Sequence, residues 1–246
     1  MSNNITVSIV IPAHNEEKYV VRCIDNAKIA ASKVRCGVEI IVVCNRCTDH
    51  TAELAAANGA RVLTDESRCI AAVRNKGIKA ARGKVVITID CDNRMTDGTI
   101  REVLGRINSR KYIGGGAPIR FERYSFPIWA NDVLCRLGFW ISGAYCGIFW
   151  AEKSTFEAIG GFVDKKAAED IATALKLRRY GKKEGKKYGC LRKNCLINST
   201  RKYDKLGDWL YFRLAFRNAR ALIKAAFGDR SDYDKLIDEM FYDYNN

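Results

Sequence analysis

The chain has 246 residues, 48% of them hydrophobic, which is enough to bury a substantial core in one large domain or in one domain with an appendage. Its first residues lack the basic region and long apolar segment of a signal peptide, and no stretch has the length of a membrane-spanning helix. The formal net charge of +14 could serve to meet nucleic acid, an anionic membrane surface or a phosphorylated substrate, or could simply belong to a solvated loop, and charge alone does not choose among them. We therefore expect a cytoplasmic protein that is soluble or lies peripherally at the inner face of the cell membrane.

The first ninety residues alternate between short runs rich in β-branched residues and longer segments with helical spacing. This alternation is typical of βαβ units and predicts an α/β fold with a mainly parallel sheet flanked by helices. A further helix, a strand, a segment rich in aromatic residues and a long C-terminal helix complete the prediction. The predicted strands cover 6–11, 38–43, 61–63, 85–89 and 111–113, and the predicted helices cover 16–31, 48–57, 70–81, 99–109 and 204–227.

Ten cysteines are present, and their spacing favours reduced thiols over a disulfide framework or a zinc site. Cys44 and Cys47 form one CxxC pair, but no second pair with zinc-ligand spacing follows it. The only histidines are His14 and His50. Cysteine inside strands and helices then serves as a small hydrophobic residue.

Two aspartates, Asp90 and Asp92, close the predicted strand at 85–89. Residues i and i+2 of a strand point to the same side, so both carboxylates project together at the end where open α/β sheets bind ligands. Such a pair suits Mg²⁺, which takes one or two carboxylates plus substrate phosphates. Taken alone, the pair could equally be a solvated strand end.

Three other polar segments stand where the first strands end or where a helix faces that edge. Ile11-Pro12-Ala13-His14-Asn15-Glu16-Glu17 follows the first strand, and a turn opening a helix is a ready site for anionic groups. Asn45 follows the second strand and has the donor and acceptor to meet a planar base, whereas Thr48 and Asp49 are interpreted as helix caps. Arg74 could reach a diphosphate with two parallel hydrogen bonds.

Together these segments resemble the inverting family 2 glycosyltransferases of the GT-A fold. The resemblance rests on VSIVIPAHNEE, IIVVCNRCTDHT and AAVRNKGIKAARGKVVITIDCD, in that order. It continues through SGAYCGIFWAEKSTFEAIGGF and AAEDIATAL, and so spans roughly residues 6–180. A GT-A domain is then expected over 1–203, with a nucleotide-binding half at 1–95, an acceptor half at 96–203 and an amphipathic helical extension at 204–246.

The resemblance assigns a role to each matching position on the donor side. Asn45 would contact the base edge, Arg74 would approach the base or the diphosphate, and Asp90 would contact the ribose. Asp92, with Asp90, would hold Mg²⁺ or Mn²⁺ bridging the diphosphate of the donor. The nucleoside pocket would be lined by Pro12, Ala13, His14 and Glu16.

On the acceptor side the resemblance implies that Asp170 is the general base that removes a proton from the acceptor hydroxyl. Glu169 beside it is the alternative carboxylate, although both could simply complement the dipole at a helix start. The implied reaction moves one sugar, with inversion, from a nucleotide-sugar donor, with a UDP-sugar preferred, to a hydroxyl acceptor that could be lipid-linked. The implied setting is cell-envelope polysaccharide or glycolipid synthesis.

Two departures from the family pattern limit this reading. Cys44-Asn45 stands where the family has an aspartate pair, so the base contacts differ. The QxxRW-type motif of processive synthases is absent, which favours transfer of a single sugar.

The charge excess is concentrated near the C-terminus, where residues 176–205 contain twelve Lys or Arg against Glu184 and Asp204. In the predicted helix at 204–227 a basic stripe runs beside an apolar one, which fits either a helix lying on an anionic membrane or a helix covering the core. The aromatic segment at 121–150 supplies either core or sugar-stacking walls, and core is favoured for each tryptophan taken singly. Those tryptophans are Trp129, Trp140 and Trp150.

Two other functions compete with glycosyl transfer. A sugar-phosphate nucleotidyltransferase would need a glycine-rich phosphate loop after the first strand, which IPAHNEE does not provide. A non-catalytic basic module that binds an anionic membrane or nucleic acid would explain the positive charge. It would give no functional role to Asp90, Asp92 and Asp170. No recognisable nucleic-acid-binding motif is present, so we expect no nucleic-acid partner.

Overall fold

A computed structural model describes residues 5–163 and 169–217 of the chain. The strands before residue 90 are rich in β-branched residues, and helices such as those at Val20–Ser32 and Thr99–Asn108 bury one face at spacings of three and four. The strands are β1 (Ile5–Ala13), β2 (Gly37–Asn45), β3 (Arg61–Asp65), β4 (Val85–Ile89), β5 (Arg94–Met95), β6 (Tyr112–Gly116), β7 (Ile119–Phe121), β8 (Ile148–Glu152), β9 (Lys187–Cys190) and β10 (Leu196–Asn198). The helices are α1 (Val20–Ser32), α2 (Thr51–Ala57), α3 (Ile70–Ala80), α4 (Thr99–Asn108), α5 (Phe126–Ser142), α6 (Lys153–Ala158), α7 (Glu169–Lys183), α8 (Arg201–Leu206) and α9 (Leu210–Arg217).

The main sheet has seven strands in the order β3-β2-β1-β4-β8-β6-β9. β1 to β4 pair in parallel, β8 runs antiparallel to both β4 and β6, and β9 is parallel to β6. A second sheet has the order β5-β10-β7, and its strand β5 begins two residues after Asp92. The predicted α/β architecture with a mainly parallel sheet flanked by helices is confirmed.

The core lies on both faces of the main sheet because alternate residues of each strand point to opposite sides. Val85 and Ile87 pack in one apolar cluster with α1 and α4, whereas Val86 packs in the other with α3, α6 and α7. Every residue of β4 is buried, as its continuous apolar run predicts for a central strand. The carboxyl ends of β1 to β4 therefore meet at one rigid edge, and the loops that follow them form the candidate site.

Several boundaries differ from those predicted. The helix expected from residue 16 begins at Val20, because the carbonyl of Glu16 accepts the N–H groups of Tyr19 and Val20 in a turn, both at 2.9 Å. The single helix expected at 204–227 is wrong in its described part. Gly207, with φ of +89°, ends α8, and α9 begins at Leu210. The stripe residues Ala219, Arg220, Ile223 and Lys224 lie outside the described residues, and the domain boundary at 203/204 stays a prediction.

The three tryptophans of the aromatic segment differ in how deeply they are buried. Trp150 on β8 is fully buried, and its Nε1 donates to the carbonyl of Gly116 at 2.9 Å. Trp129 and Trp140 are exposed on α5, a helix that the sequence pattern did not predict, so a core position is wrong for both. Within 5–163 and 169–217, no helix is long and apolar enough to cross a bilayer.

Candidate functional site

Arg74 on α3 joins the donor-side and acceptor-side carboxylates predicted from the sequence. Its side chain is buried under the carboxyl edge of the sheet and stacks over the ring of Phe162, with 5.1 Å from Cζ to the ring centroid. Nη2 donates to Oδ1 of Asp90 at 2.7 Å, and Nη1 donates to Oδ1 of Asp170 at 2.7 Å. Nη1 also lies 3.5 Å from Oε1 of Glu169. Both terminal nitrogens of the guanidinium thus contact protein carboxylates in this structure, rather than being exposed for a diphosphate.

The surroundings of this arginine change the acidity of its partners. Burial raises the pKa of the Asp170 carboxyl, and the Arg74 guanidinium works in the opposite direction. Burial also raises the pKa of Glu169, and the neighbouring Asp170 adds to the rise. A carboxylate whose pKa is raised toward neutrality is better matched to accepting a proton from a hydroxyl.

A second cluster lies beside the first and centres on Arg201 at the start of α8. Its Nη1 contacts both oxygens of Glu16 at 2.9 and 2.7 Å, and its Nε lies 3.0 Å from Oδ2 of Asp92. The guanidinium also stacks over the ring of Tyr19 at 5.3 Å. Sequence reasoning missed Arg201, because a cation within the basic run at 176–205 carries no signal that separates it from its solvated neighbours.

The second cluster crowds carboxylates into a buried space. Burial raises the pKa of Glu16 to about 7 despite the opposing Arg201, and Asp92 and Asp90 add to the rise. Burial likewise raises the pKa of Asp92. Burial and the nearby Arg201 lower the pKa of Lys202, while Asp92 and Asp90 oppose them. The site therefore contains three carboxylates, those of Glu16, Asp90 and Asp92, and two cationic residues, Arg201 and Lys202.

The donor set of this cluster fits a hard divalent cation. Among the residues that the structure describes, no group of three or more His, Cys, Asp or Glu side chains is arranged to hold a metal. Asp90 and Asp92 nevertheless lie two residues apart in the turn after β4, near enough that Asp90 raises the pKa of Asp92. Mg²⁺ or Mn²⁺ needs no more than two carboxylates when diphosphate oxygens and water complete its shell. The carboxylates also repel one another, which favours an added cation.

The loops after β1 and β2 brace each other. Nδ1 of His14 lies 2.6 Å from the carbonyl oxygen of Asn45. Nδ2 of Asn45 donates to the carbonyl oxygens of Ser67 at 2.7 Å and Asp65 at 3.1 Å, so this amide nitrogen holds the loop after β3. Pro12 and Ala13 are the last two residues of β1 and are buried. Contact of these residues with a nucleoside stays a prediction.

The two residues interpreted as caps behave differently. Oδ1 of Asp49 accepts the N–H of Thr51, the first residue of α2, at 3.0 Å, as the capping interpretation predicts for it. Oδ2 of Asp49 accepts the N–H of Glu17 and ties the loop after β1 to the start of α2. The N–H of Thr48 instead donates to Oδ1 of Asn15 at 2.8 Å.

Solved structures with the same arrangement of elements define the class of fold. TarS of S. aureus superposes with a TM-score of 0.62 at 14% identity, covering 80% of this chain and 61% of that one. The mannosyltransferase PcManGT from Pyrobaculum calidifontis, in complex with GDP-Man and Mn²⁺, gives 0.60 at 20% identity, covering 77% and 55%. A complex of the glucosyl-3-phosphoglycerate synthase of Mycobacterium tuberculosis with Mn²⁺, UDP and glucosyl-3-phosphoglycerate gives 0.58 at 21% identity, covering 82% and 75%. The fold is that of GT-A glycosyltransferases.

The sequence places the chain more narrowly. The model of glycosyl transferase family 2 matches residues 8–169, and the protein belongs to that family. EpsH of Bacillus subtilis is 32% identical over 92 residues, which are 35% of this chain and 26% of EpsH. Agl6 of Haloferax volcanii, a hexosyltransferase of low-salt glycan biosynthesis, is 26% identical over 166 residues, which are 63% of this chain and 40% of Agl6. The matched part of the chain thus covers less than half the length of either relative.

Proposed function

We propose that this protein transfers a single hexosyl or related sugar, with inversion, from a nucleotide-sugar donor to a hydroxyl acceptor. The observation that carries the proposal is the line of contacts Asp90–Arg74–Asp170, with 2.7 Å on each side of the guanidinium. It joins the carboxylate expected at the ribose to the carboxylate expected at the acceptor. A transferase needs its two substrates held at one fixed separation. A buried arginine that contacts one carboxylate with each terminal nitrogen provides such a link.

Asp170 is the proposed base. Its carboxylate takes the proton of the acceptor hydroxyl as the acceptor oxygen forms a bond to the anomeric carbon. The bond from that carbon to the diphosphate oxygen breaks on the opposite face, so the configuration inverts and the nucleoside diphosphate leaves with the electron pair. Glu169 lies one residue away and farther from the Arg74 guanidinium, and is the second choice for the same role.

The donor side provides charge complementarity for the departing diphosphate. Asp92, with Asp90, is the proposed holder of Mg²⁺ or Mn²⁺, and when bound the ion supplies a Lewis acid that stabilises negative charge on the diphosphate. Arg201 and Lys202 place two further cations next to these aspartates. The nucleoside is proposed to lie along Pro12, Ala13, His14, Glu16 and Asn45, and a UDP-sugar is the preferred donor. Solved relatives in complex with UDP, UDP-GlcNAc or GDP-Man support a nucleotide-sugar donor.

The proposed setting is cell-envelope polysaccharide or glycolipid synthesis, on the cytoplasmic side and in peripheral contact with the membrane. A glycan-assembly relative supports this setting. The proposed acceptor carries its hydroxyl on a lipid-linked molecule, because a transferase at the membrane surface meets acceptors that are anchored there.

Thermal stability with a panel of nucleoside diphosphates, with and without Mn²⁺, tests the donor side. A ligand that binds only the folded state adds about 2.7 kcal/mol at a hundred times its dissociation constant, which is a readable shift. We expect one nucleotide to stabilise the protein in a metal-dependent way, with the shift lost in Asp92→Asn. The matched control Asp97→Asn changes an exposed aspartate nearby and should keep it. Absence of stabilisation by every nucleoside diphosphate in the presence of metal would contradict the proposal.

A further inference from the structure

Helix α5 exposes an unusual amount of apolar surface. Seven of its large apolar side chains are exposed, by fractions that run from 44% at Val133 to 73% at Trp140. At 100° per residue all seven fall within an arc of about 140° on the helix. An exposed face of this kind marks an interaction surface rather than a scatter of single residues. The seven are Phe126, Trp129, Val133, Leu134, Leu137, Trp140 and Ile141.

The same surface continues onto the segment before and within α9. The ring of Trp209 lies 6.3 Å from that of Phe126 and 5.6 Å from that of Phe212, measured between centroids. Trp209 is exposed, and Phe216, seven residues or about two turns further on, is 88% exposed. We call the seven α5 residues together with Trp209 and Phe216 the α5–α9 apolar face.

Basic side chains border this face. Arg136 lies on α5 itself, where it is exposed and pairs with Asp132 at 2.8 Å, and Arg213 on α9 is exposed. Nη1 of Arg178 donates to the carbonyl of Ser142, the last residue of α5, at 2.7 Å. The helix that carries Arg178, α7, has three Lys and two Arg against two acidic residues in its first turn. An apolar face rich in tryptophan with a cationic border is the composition of a helix that lies in the headgroup region of an anionic bilayer.

The carboxyl end of α5 also borders the acceptor side of the candidate site. Gly143, with φ of +63°, ends the helix, and the chain turns to Cys146 within three residues. Arg178, which donates to the carbonyl of Ser142, lies on α7, and the first turn of α7 carries Glu169 and Asp170. The exposed Trp140 and Ile141 therefore directly precede the point where α5 meets the helix that carries the proposed base.

We propose that the α5–α9 apolar face binds the surface of an anionic lipid bilayer. A second copy of the chain is a poorer occupant, because pairing two such faces would bring their basic borders together in a molecule with a net charge of +14. An anionic bilayer instead meets the apolar face with acyl chains and the border with headgroup charge. Binding itself does not depend on sugar transfer. The consequence that the acceptor reaches Asp170 from the bilayer rests on the proposed function.

The tryptophans make this binding directly measurable. Three of the four tryptophans, Trp129, Trp140 and Trp209, lie in the face, whereas Trp150 is buried in the core. The full chain is mixed with vesicles of phosphatidylcholine alone or with 30% phosphatidylglycerol, and tryptophan emission and co-sedimentation are recorded. We expect a blue shift and sedimentation with the anionic vesicles, quenching by brominated acyl chains, and a marked loss of binding to the neutral ones or at high salt.

Paired variants distinguish vesicle binding through the α5–α9 apolar face from nonspecific binding by exposed apolar side chains. Trp140→Ser with Ile141→Ser should weaken vesicle binding at least tenfold, because it removes the two most exposed side chains at the site end of α5. Ile29→Ser on α1 removes a large apolar side chain that is also exposed but lies away from the face, and should leave binding unchanged. Nucleotide-dependent thermal stabilisation should persist in both variants, so a failure of this proposal is distinguishable from a failure of the proposed function.

Three results would overturn the proposal. One is equal binding by the Trp140/Ile141 variant and the parent chain. Another is the absence of any blue shift or sedimentation with anionic vesicles. The third is an emission already blue-shifted without lipid together with a dimer in sedimentation equilibrium that the Trp140/Ile141 variant dissociates, which would make a second copy the occupant.

Discussion

Asp170 and Arg74 are separated by 96 positions in the sequence, yet Oδ1 of one lies 2.7 Å from Nη1 of the other. The same guanidinium reaches Asp90 through its other terminal nitrogen. Although burial acts to lower the pKa of Arg74, the carboxylates of Asp170 and Asp90 hold it above its usual value, so the charge stays on the arginine. Arg74 is therefore a positioning residue that sets where the proposed base stands relative to the donor.

Asp170→Asn should lower the turnover of sugar transfer by about 10²–10⁴-fold, the usual contribution of a general base. The amide keeps the size of the side chain but cannot take the proton of the acceptor hydroxyl. Turnover is measured as release of nucleoside diphosphate from the donor that thermal stabilisation identifies. Stabilisation by that nucleotide should be unchanged, which separates lost chemistry from lost binding.

Glu169→Gln is the matched control for this change. It alters a neighbouring carboxylate that lies 3.5 Å from Arg74 instead of 2.7 Å, and turnover should stay within about tenfold of the parent. If Glu169→Gln abolished turnover while Asp170→Asn kept it, the base would be Glu169.

Arg74→Met should destabilise the protein by about 3 kcal/mol, because it removes the only guanidinium that pairs with both Asp90 and Asp170 in the described contacts and leaves two partly buried carboxylates uncompensated. Arg74→Lys keeps the charge, but a lysine ammonium cannot bridge two carboxylates with a planar fork. It should recover much of the stability and little of the turnover. The free energy of unfolding in urea measures the first effect.

The exposed Arg82 supplies the reference for this series. Arg82→Met should change the free energy of unfolding by less than about 0.5 kcal/mol, as expected for a surface substitution. A loss equal to that of Arg74→Met would show that the arginine-to-methionine change itself, and not the carboxylate link, is responsible.

Arg201→Gln should increase the affinity of the free protein for Mn²⁺. The guanidinium contacts Asp92 and Glu16, so a divalent cation must compete with a charge already in place. Removing it leaves these carboxylates to repel one another and favours added positive charge. Direct Mn²⁺ binding, followed by electron paramagnetic resonance without nucleotide, measures the change.

Lys205→Gln removes an exposed lysine from the same helix and should leave Mn²⁺ affinity unchanged. Weaker Mn²⁺ binding by Arg201→Gln than by the parent would refute the competition and assign Arg201 a supporting role at the metal position.

We expect an acid-dependent loss of stability that originates at Glu102, a residue away from the candidate site. Burial opposes the effect, but hydrogen bonds from the backbone of Arg192 and Lys193 and from the side chains of Asn194 and Arg106 lower the pKa of Glu102 from 4.5 to about 2. Because the folded pKa is depressed, the contribution to stability is present above pH 4.5 and is lost as the pH falls toward 2.

Glu102→Gln should therefore cost about 2 kcal/mol at pH 7, the range for hydrogen bonds to a charged group, and the cost should shrink as the pH falls below 4.5 and approach zero only below pH 2. Chemical denaturation at several pH values measures the difference. Glu157→Gln, at a more exposed glutamate, should show a small cost with no pH trend. A Glu102→Gln cost that stayed constant with pH would contradict the ionic origin.

The sequence predicted those parts of the structure that depend on residues close together in the chain. The strand at 85–89 has the same bounds in the structure, since a continuous β-branched run between a lysine and an aspartate leaves little choice of register. The placement of Asp90 and Asp170 at one site followed from the resemblance to family 2 glycosyltransferases. Arg74 was predicted at the site through its approach to the base or the diphosphate, which stays a prediction. Its contacts with both carboxylates were not predicted, because side-chain pairing between distant segments leaves no periodic signal.

Two elements could not be read from the pattern. The helix α5 carries apolar residues on its outer face as well as its inner one, so the usual contrast that reveals a helix is missing between Phe126 and Ser142. The three consecutive glycines at 114–116 extend β6 beyond residue 113, although glycine weakens strand propensity. There is no space for a side chain there, because a Cβ on Gly114 would lie 2.6 Å from the carbonyl oxygen of Trp150.

The order of synthesis on the ribosome follows from the placement of Arg74. Its partner Asp90 emerges 16 residues later, whereas Asp170 emerges 96 residues later. At about 5–20 residues per second, the 80 residues between Asp90 and Asp170 leave an interval of roughly 4–16 s in which a nascent chain holds Arg74 with one of its two close carboxylates. The pairing of Arg74 is therefore completed only when α7 docks, late in the synthesis of the chain.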